Sequence, residues 1–178
     1  MFAIVLAALD RSGSVLPILC AMAVHELAHI VMMLACGGQV RRLTLRFADL
    51  QIAASGLGYR QELLSALAGP LVNLICGAAF CMQRPSFAAY SLMLGIYNLL
   101  PVWPLDGGRM LRCVLLARLP ITQAEHISEI VSFAACAVLL LIGVFLTFFR
   151  KSGLWPLGTA AYLTVRLLML ARRTDAVQ

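Results

Sequence analysis

An apolar run over residues 15–36 holds three ionisable side chains within five positions, and this combination constrains the fold more than any other feature of the chain. The run exceeds the roughly 20 residues that a helix needs to cross a bilayer. An isolated charge in hydrocarbon costs several kcal/mol or is neutralised. We therefore expect a membrane-spanning helix whose His25, Glu26 and His29 place chemistry inside the membrane.

The composition supports a membrane protein. Apolar residues make up 62% of the 178 residues, whereas soluble domains hold about 45–50%. The net charge of +6 comes from basic residues at the edges of apolar runs. Such positions are typical of topology signals and lipid headgroup contacts, so we expect no direct nucleic-acid binding. The length predicts one integral-membrane domain over residues 1–178.

The apolar segments predict an all-α polytopic membrane protein with about six transmembrane helices. Residues 1–14 are short for a span, and they form either a truncated first helix or one that extends into the interface. The other predicted spans are residues 15–36, 62–82, 87–100, 122–149 and 154–171. Thr122-x-x-Glu125 has the form of a capping box, which predicts where the fifth span begins.

The basic residues also predict the orientation. Six spans place both termini on one side, and the loops of that side hold ten of the 14 basic residues: Arg41, Arg42, Arg46, Arg60, Arg109, Arg112, Arg118, Arg166, Arg172 and Arg173. The opposite side holds Arg11, Arg84, Arg150 and Lys151. The positive-inside rule then predicts cytoplasmic termini, with His25 and His29 towards the cytoplasmic end of their helix.

Residues 40–54 change from helical to alternating periodicity. Apolar Leu43, Leu45 and Phe47 alternate with polar side chains, and a turn is expected near Asp49. This pattern predicts a small membrane-associated β-hairpin after the second helix. An irregular interfacial loop is the alternative.

His25 and His29 lie four residues apart and therefore on one face of a helix, as two ligands of one metal require. A hydrolytic zinc site has three protein ligands and an open position for water. Asp106 is the one acidic residue set in a broken helix, next to Pro104 and Gly107. Irregular backbone is tolerated at membrane depth only inside protein or along a cavity. We therefore expect one Zn²⁺ per chain, bound by His25, His29 and Asp106.

Further polar residues are candidates for catalytic or binding roles in such a site. Glu26 is placed to act as the general base that moves a proton. Asn73 and Asn98 either stabilise an oxyanion and hold substrate backbone, or form interhelical hydrogen bonds. His126, together with neighbouring glutamates, is interpreted as part of a solvated face rather than as a second metal site.

Three sequence elements together resemble the site-2 protease family of intramembrane zinc metalloproteases, peptidase family M50, whose compact sporulation-type branch the layout of the chain resembles. They occur in the family's order: His25-Glu26-Leu27-Ala28-His29, then Ala68-Gly69-Pro70-Leu71-Val72-Asn73, then Asn98-Leu99-Leu100-Pro101-Val102-Trp103-Pro104-Leu105-Asp106-Gly107-Gly108.

The resemblance implies a three-helix catalytic core at about 15–119, with flanking helices at about 1–14, 122–149 and 154–171. It implies zinc held by His25, His29 and Asp106, with Glu26 as the catalytic acid–base. The implied reaction is cleavage of a membrane-associated protein in the bacterial inner membrane, such as a sigma-factor precursor or an anti-sigma factor. An inhibitory membrane partner is also expected, whereas a PDZ or CBS domain is not.

A non-catalytic membrane zinc-binding protein is the alternative from another class, either a carrier or a pseudoprotease. A carrier would not need Glu26, and it would place polar groups along a whole pathway. Such groups are sparse in residues 122–149 and 154–171.

Overall fold

The computed structural model describes residues 13–46, 49–55, 57–148 and 155–175. The elements in chain order are α1 (Val15–Ala35), β1 (Gln39–Arg46), β2 (Asp49–Ser55), α2 (Tyr59–Ala79), α3 (Pro85–Asn98), α4 (Asp106–Leu116), α5 (Ile121–Phe148) and α6 (Trp155–Asp175). They fall into two compact units, one up to Leu99 and one from Leu100. Residues 1–12, most of the first predicted segment, lie outside the described residues.

Helix α1 ends at the glycine pair that follows it. Gly37 adopts a left-handed backbone with φ of 81°, a conformation that glycine reaches without steric cost. Its N–H donates to the Leu34 carbonyl at 2.9 Å, and the Gly38 N–H donates to the Met33 carbonyl at 3.0 Å. These two bonds satisfy carbonyls that the end of a helix leaves without partners.

Helices α1, α2 and α3 pack against one another in the first unit. The side of α2 that packs inward carries small and polar residues, namely Ser65, Ala66, Ala68, Gly69, Pro70, Asn73 and Gly77. Its large apolar residues Leu64, Leu71 and Ile75 are exposed. Small residues inside and large apolar residues outside are typical of membrane helices, whose backbones must approach closely to gain packing energy.

Two antiparallel strands follow α1 at the position of the alternating pattern. Val40 pairs with Ala54 and Leu45 pairs with Leu50, with an irregularity in register between Val40 and Arg42. Strands β1 and β2 form a two-stranded sheet.

In the second unit, α5 packs against both α4 and α6. Arg112 of α4 and Glu125 of α5 form an ion pair at 2.9 Å. The loop before α4 is attached to α5, because the Trp103 N–H donates to the buried Ser132 hydroxyl at 3.0 Å. The predicted capping box is wrong: α5 begins at Ile121, so Thr122 is already inside the helix.

Three described helices, α1, α2 and α5, are long and apolar enough to cross a membrane. The apolar part of α6 is shorter, at Leu157–Met169, and α3 has 14 residues. The prediction of about six spans is therefore supported for three helices of the described chain.

Gly108 allows a test of how closely α4 packs against the loop that precedes it. A Cβ at this position would lie 2.6 Å from backbone atoms of Val102 and Trp103, which cannot move aside as a side chain can. We expect Gly108→Ala to destabilise the protein by about 1–3 kcal/mol. Gly158→Ala on α6 is the matched control, because nothing lies within 4 Å of its added Cβ. The control should be neutral or stabilising by up to about 1 kcal/mol. Thermal unfolding in detergent checks both variants, and equal midpoints would contradict the close approach.

Candidate metal centre

Two histidines of α1 point into the first unit. His25 and His29 are 4% and 7% exposed, whereas Leu27 on the same helix is 58% exposed. Their Nε2 atoms lie 3.1 Å apart, and their rings meet edge to face, with 84° between the ring planes. The four-residue spacing therefore gives a buried pair of imidazoles whose Nε2 atoms face each other.

This convergence fits a zinc ion. Zn–N bonds of about 2.0–2.1 Å at a tetrahedral angle require two nitrogens about 3.3 Å apart. The observed separation of 3.1 Å is close to that value. Each histidine must then carry its hydrogen on Nδ1, so that the lone pair of Nε2 is free to bind the metal.

Ser65 of α2 fixes this tautomer for His29. The Ser65 carbonyl oxygen lies 2.7 Å from His29 Nδ1. A carbonyl only accepts, so Nδ1 carries the hydrogen and Nε2 has the free lone pair. The Ser65 hydroxyl also donates to the His29 carbonyl at 3.3 Å. Helix α2 thus holds both the ring and the backbone of this histidine.

Gly69 provides the space that the His29 ring occupies. A Cβ on Gly69 would overlap the imidazole, with Nε2, Cε1 and Cδ2 as its three nearest atoms. Gly69 is therefore required by a close approach between the two helices. Its immediate neighbour Pro70 is also buried and lies inside α2.

Asn73 of α2 reaches the other histidine. Its side-chain amide lies 3.3 Å from His25 Nδ1, and the residue is fully buried. Its Oδ1 atom finds no hydrogen-bond partner among the described residues. One of the two predicted asparagines therefore lies beside a predicted metal ligand.

The second asparagine has a local contact. Asn98 is half-buried, and its side-chain N–H donates to the Leu94 carbonyl of its own helix at 3.0 Å. Its proposed role towards an oxyanion remains a prediction. Glu26 lies between the two histidines in sequence and is half-buried on α1.

Asp106 belongs to the second unit, where it is the first residue of α4. The predicted helix break is present, because α3 ends at Asn98 and α4 begins at this aspartate. Its side chain is buried and lies 3.6 Å from the guanidinium of Arg109. The N-terminus of a helix also stabilises a carboxylate. Both features favour a carboxylate at this position, and its role as a metal ligand remains a prediction.

The sequence predicted no role for Ser65, and none at the metal centre for Gly69. Together with Asn73 they occur every four residues along α2, so they share one face of the helix. A face of small and polar residues in an apolar segment is the signal by which the sequence could have identified them.

The region around His126 has no comparable burial. His126 and Glu129 are exposed, and Glu125 forms the ion pair with Arg112. This arrangement agrees with the expected solvated face.

Comparisons with known proteins agree with the resemblance found in the sequence. The family model "Peptidase family M50" matches residues 84–142, a range that includes Asp106. A zinc metalloprotease of Methanocaldococcus jannaschii is 26% identical over 133 residues, covering 67% of this chain and 39% of that protein. Stage IV sporulation protein FB of Bacillus subtilis is 28% identical over 138 residues, covering 70% of this chain and 47% of that protein. The chain thus spans less than half the length of these two relatives.

A solved structure shares the fold. The site-2 protease from Methanocaldococcus jannaschii superposes with a TM-score of 0.68 and 20% identity, covering 94% of this chain and 83% of that one. The predicted resemblance to site-2 proteases of peptidase family M50 is therefore confirmed. The Methanocaldococcus jannaschii relative is itself a zinc metalloprotease, and the solved structure is a site-2 protease. Together with the three apolar helices, they also indicate a membrane protein.

The contact between Gly69 and His29 yields a second prediction. Gly69→Ala should displace the imidazole and lower zinc affinity at least tenfold, while the helical circular dichroism stays close to that of the native chain. Gly58→Ala is the matched control at the start of the same helix, since its Cβ would meet only Gln61 Oε1, at 3.8 Å. Zinc affinity is measured by competition with a chromophoric chelator. Native affinity in Gly69→Ala would show that the ring does not need this space.

Proposed function

We propose that this chain is an intramembrane zinc metalloendopeptidase. It would hydrolyse a peptide bond in or next to the membrane segment of a membrane-associated protein. The observation that carries the proposal is the buried His25–His29 pair, whose Nε2 atoms converge at 3.1 Å on a helix long and apolar enough to cross a membrane. A membrane helix has no structural need for such a costly pair, whereas a metal site does.

The proposed ligands are His25, His29 and Asp106. All three are buried, and two imidazoles with one carboxylate are a donor set that catalytic zinc uses. When bound, the zinc would lower the pKa of a water molecule towards about 7 and polarise the scissile carbonyl.

Glu26 is the proposed general base. It would take a proton from the attacking water and later return it to the leaving amine. Its half-buried position suits this role, because a base must be reached by water and yet remain next to the ligands. Asn98 is retained as a candidate for holding substrate backbone.

The proposed substrates are a sigma-factor precursor or an anti-sigma factor. Support comes from the similarity to the Bacillus subtilis sporulation protein. We place the chain in the bacterial inner membrane as one peptidase domain with a core at 15–119. The distribution of basic residues favours cytoplasmic termini. An inhibitory membrane protein is a further proposed partner.

The hairpin is the proposed substrate-holding element. A peptide bond inside a helix is protected by its hydrogen-bonded ladder, so a substrate must be unwound before it is cut. Strands β1 and β2 pair with each other, which leaves each strand one outer edge. An outer edge binds an extended peptide through main-chain hydrogen bonds.

A non-catalytic zinc-binding membrane protein, as carrier or pseudoprotease, is the competing proposal. A carrier or pseudoprotease would not need Glu26, whereas the proposed peptidase would.

Glu26→Gln should lower cleavage of a co-expressed substrate by about 10²–10⁴-fold, because the amide cannot accept the proton. Zinc content should stay at one per chain, since the ligands are intact. His25→Ala is the matched control and should lose both zinc and cleavage. Cleavage is followed by immunoblot, and zinc by atomic absorption. Unchanged processing in Glu26→Gln would overturn the protease assignment.

Proline substitutions test the hairpin. Thr44 pairs with Gln51 and Leu45 pairs with Leu50. Adjacent residues of a strand direct their N–H groups to opposite edges, so one of the two prolines removes a donor from the outer edge and the other removes one from the hairpin itself. Thr44→Pro and Leu45→Pro should both impair cleavage while zinc content remains native. Full activity in both variants would exclude the hairpin from substrate binding.

A further inference from the structure

Asn73 is placed to decide which nitrogen of His25 binds metal. A neutral imidazole carries one hydrogen, and the nitrogen without it has the free lone pair. In the His29 ring the Ser65 carbonyl accepts the hydrogen of Nδ1, so Nε2 has the lone pair. The partner of His25 Nδ1 is instead a side-chain amide, at 3.3 Å, which offers an acceptor at one end and donors at the other.

The two orientations of that amide have opposite consequences. If its NH₂ group faced Nδ1, the amide would donate, and the imidazole hydrogen would sit on Nε2, where it blocks a metal. If Oδ1 faced Nδ1, the amide would accept, and Nε2 would be free to bind. The two orientations differ by a half-turn about the last side-chain bond and occupy almost the same volume, and they are distinguished only through the hydrogen bonds they make.

The donating orientation does not suit a metal centre, because it would leave a hydrogen on His25 Nε2 directed at His29 Nε2, 3.1 Å away, where the ion has to lie. With NH₂ towards His25, the buried Oδ1 finds no partner among the described residues. The turned amide would place that oxygen on a real donor, Nδ1–H, and would match the arrangement at His29. Both histidines would then carry the same tautomer, as two ligands of one metal through Nε2 require.

We propose that Asn73 is a positioning residue for the metal centre, whose side-chain oxygen accepts the Nδ1–H of His25 and thereby presents Nε2 to the zinc. The inference rests on the proposed function, because it concerns how the zinc site is ordered. It gives Asn73 a role towards the ligand itself, in place of a general interhelical hydrogen bond.

Zinc affinity and a spectroscopic readout test the proposal on the full chain purified in detergent, with zinc ion as the probe. Asn73→Leu keeps the approximate volume and removes the acceptor, so zinc affinity should fall about 10–100-fold. Asn73→Asp keeps an acceptor and removes the donors, so affinity should equal or exceed that of the native chain. Ser91→Ala is the matched control: its hydroxyl is fully buried and finds no partner among the described residues. Its zinc affinity should not change.

The second readout separates hydrogen bonding from simple charge attraction by the new carboxylate. In zinc-loaded protein with ¹⁵N-labelled histidine, the Nδ1–H proton of His25 should resonate furthest downfield in Asn73→Asp, next in the native chain, and least in Asn73→Leu. This order follows the strength of the acceptor, and it does not depend on overall stability.

Two results would overturn the inference. Zinc affinity in Asn73→Asp as low as in Asn73→Leu would mean that the amide donates rather than accepts. Native affinity in Asn73→Leu would mean that His25 needs no partner, while the proposed zinc enzyme would stand. A native chain that binds no zinc would contradict the proposed function as well.

Discussion

The hydrogen bond from His29 Nδ1 to the Ser65 carbonyl, 2.7 Å long, is the interaction on which the candidate centre depends. An imidazole buried without a partner would cost several kcal/mol in an apolar surrounding. Bonding it to the backbone of α2 removes that cost and joins the two helices at the same point. The bond also selects the tautomer, so helix packing and metal-binding chemistry are decided by one contact. A change that separates α1 from α2 would therefore alter the ligand as well as the fold.

The interior of the first unit shows what makes this contact geometrically feasible. Backbone and imidazole meet only because Gly69 has no side chain to intervene. Gly77 has the same effect further along α2, where an added Cβ would collide with Leu92 of α3. Van der Waals contact between close backbones stabilises helices in lipid, where burying apolar surface gains little. The glycines thus contribute to packing and at the same time leave room for the polar residues of the centre.

The sequence marks the candidate ligands more clearly than the groups that orient them. The His25–His29 spacing and the helix break at Asp106 follow from the periodicity of a helix and from the effect of proline and glycine on it. The acceptor for His29 is a main-chain carbonyl, and every residue has one, so no side-chain pattern marks it. Asn73 was visible as a polar residue in an apolar segment, but its partner depends on how α1 and α2 pack.

Two sequence predictions, the capping box and the number of spans, lack full support for similar physical reasons. The capping box at Thr122 was wrong because the helix already begins at Ile121, directly after Pro120, and a matching residue pattern does not fix the position of the first turn. The count of spans was set by runs of apolar residues, whereas crossing depends on the length of the helix that forms. Helix α3 stops at Asn98 after 14 residues, because the loop with Pro101 and Pro104 follows it.

The length of α5 has a consequence for where the second unit meets water. Its 28 residues extend over about 42 Å, whereas the hydrocarbon layer is about 30 Å thick. The charged residues of α5 are confined to its first turns, up to Glu129, and the stretch from Ile130 to Phe148 alone matches the thickness of the layer. With that stretch across the hydrocarbon layer, the ion pair between Arg112 and Glu125 would lie at the depth of the lipid headgroups. Mobile ions and anionic lipids would there compete for its partners, so the link between α4 and α5 would depend on the lipid composition around it.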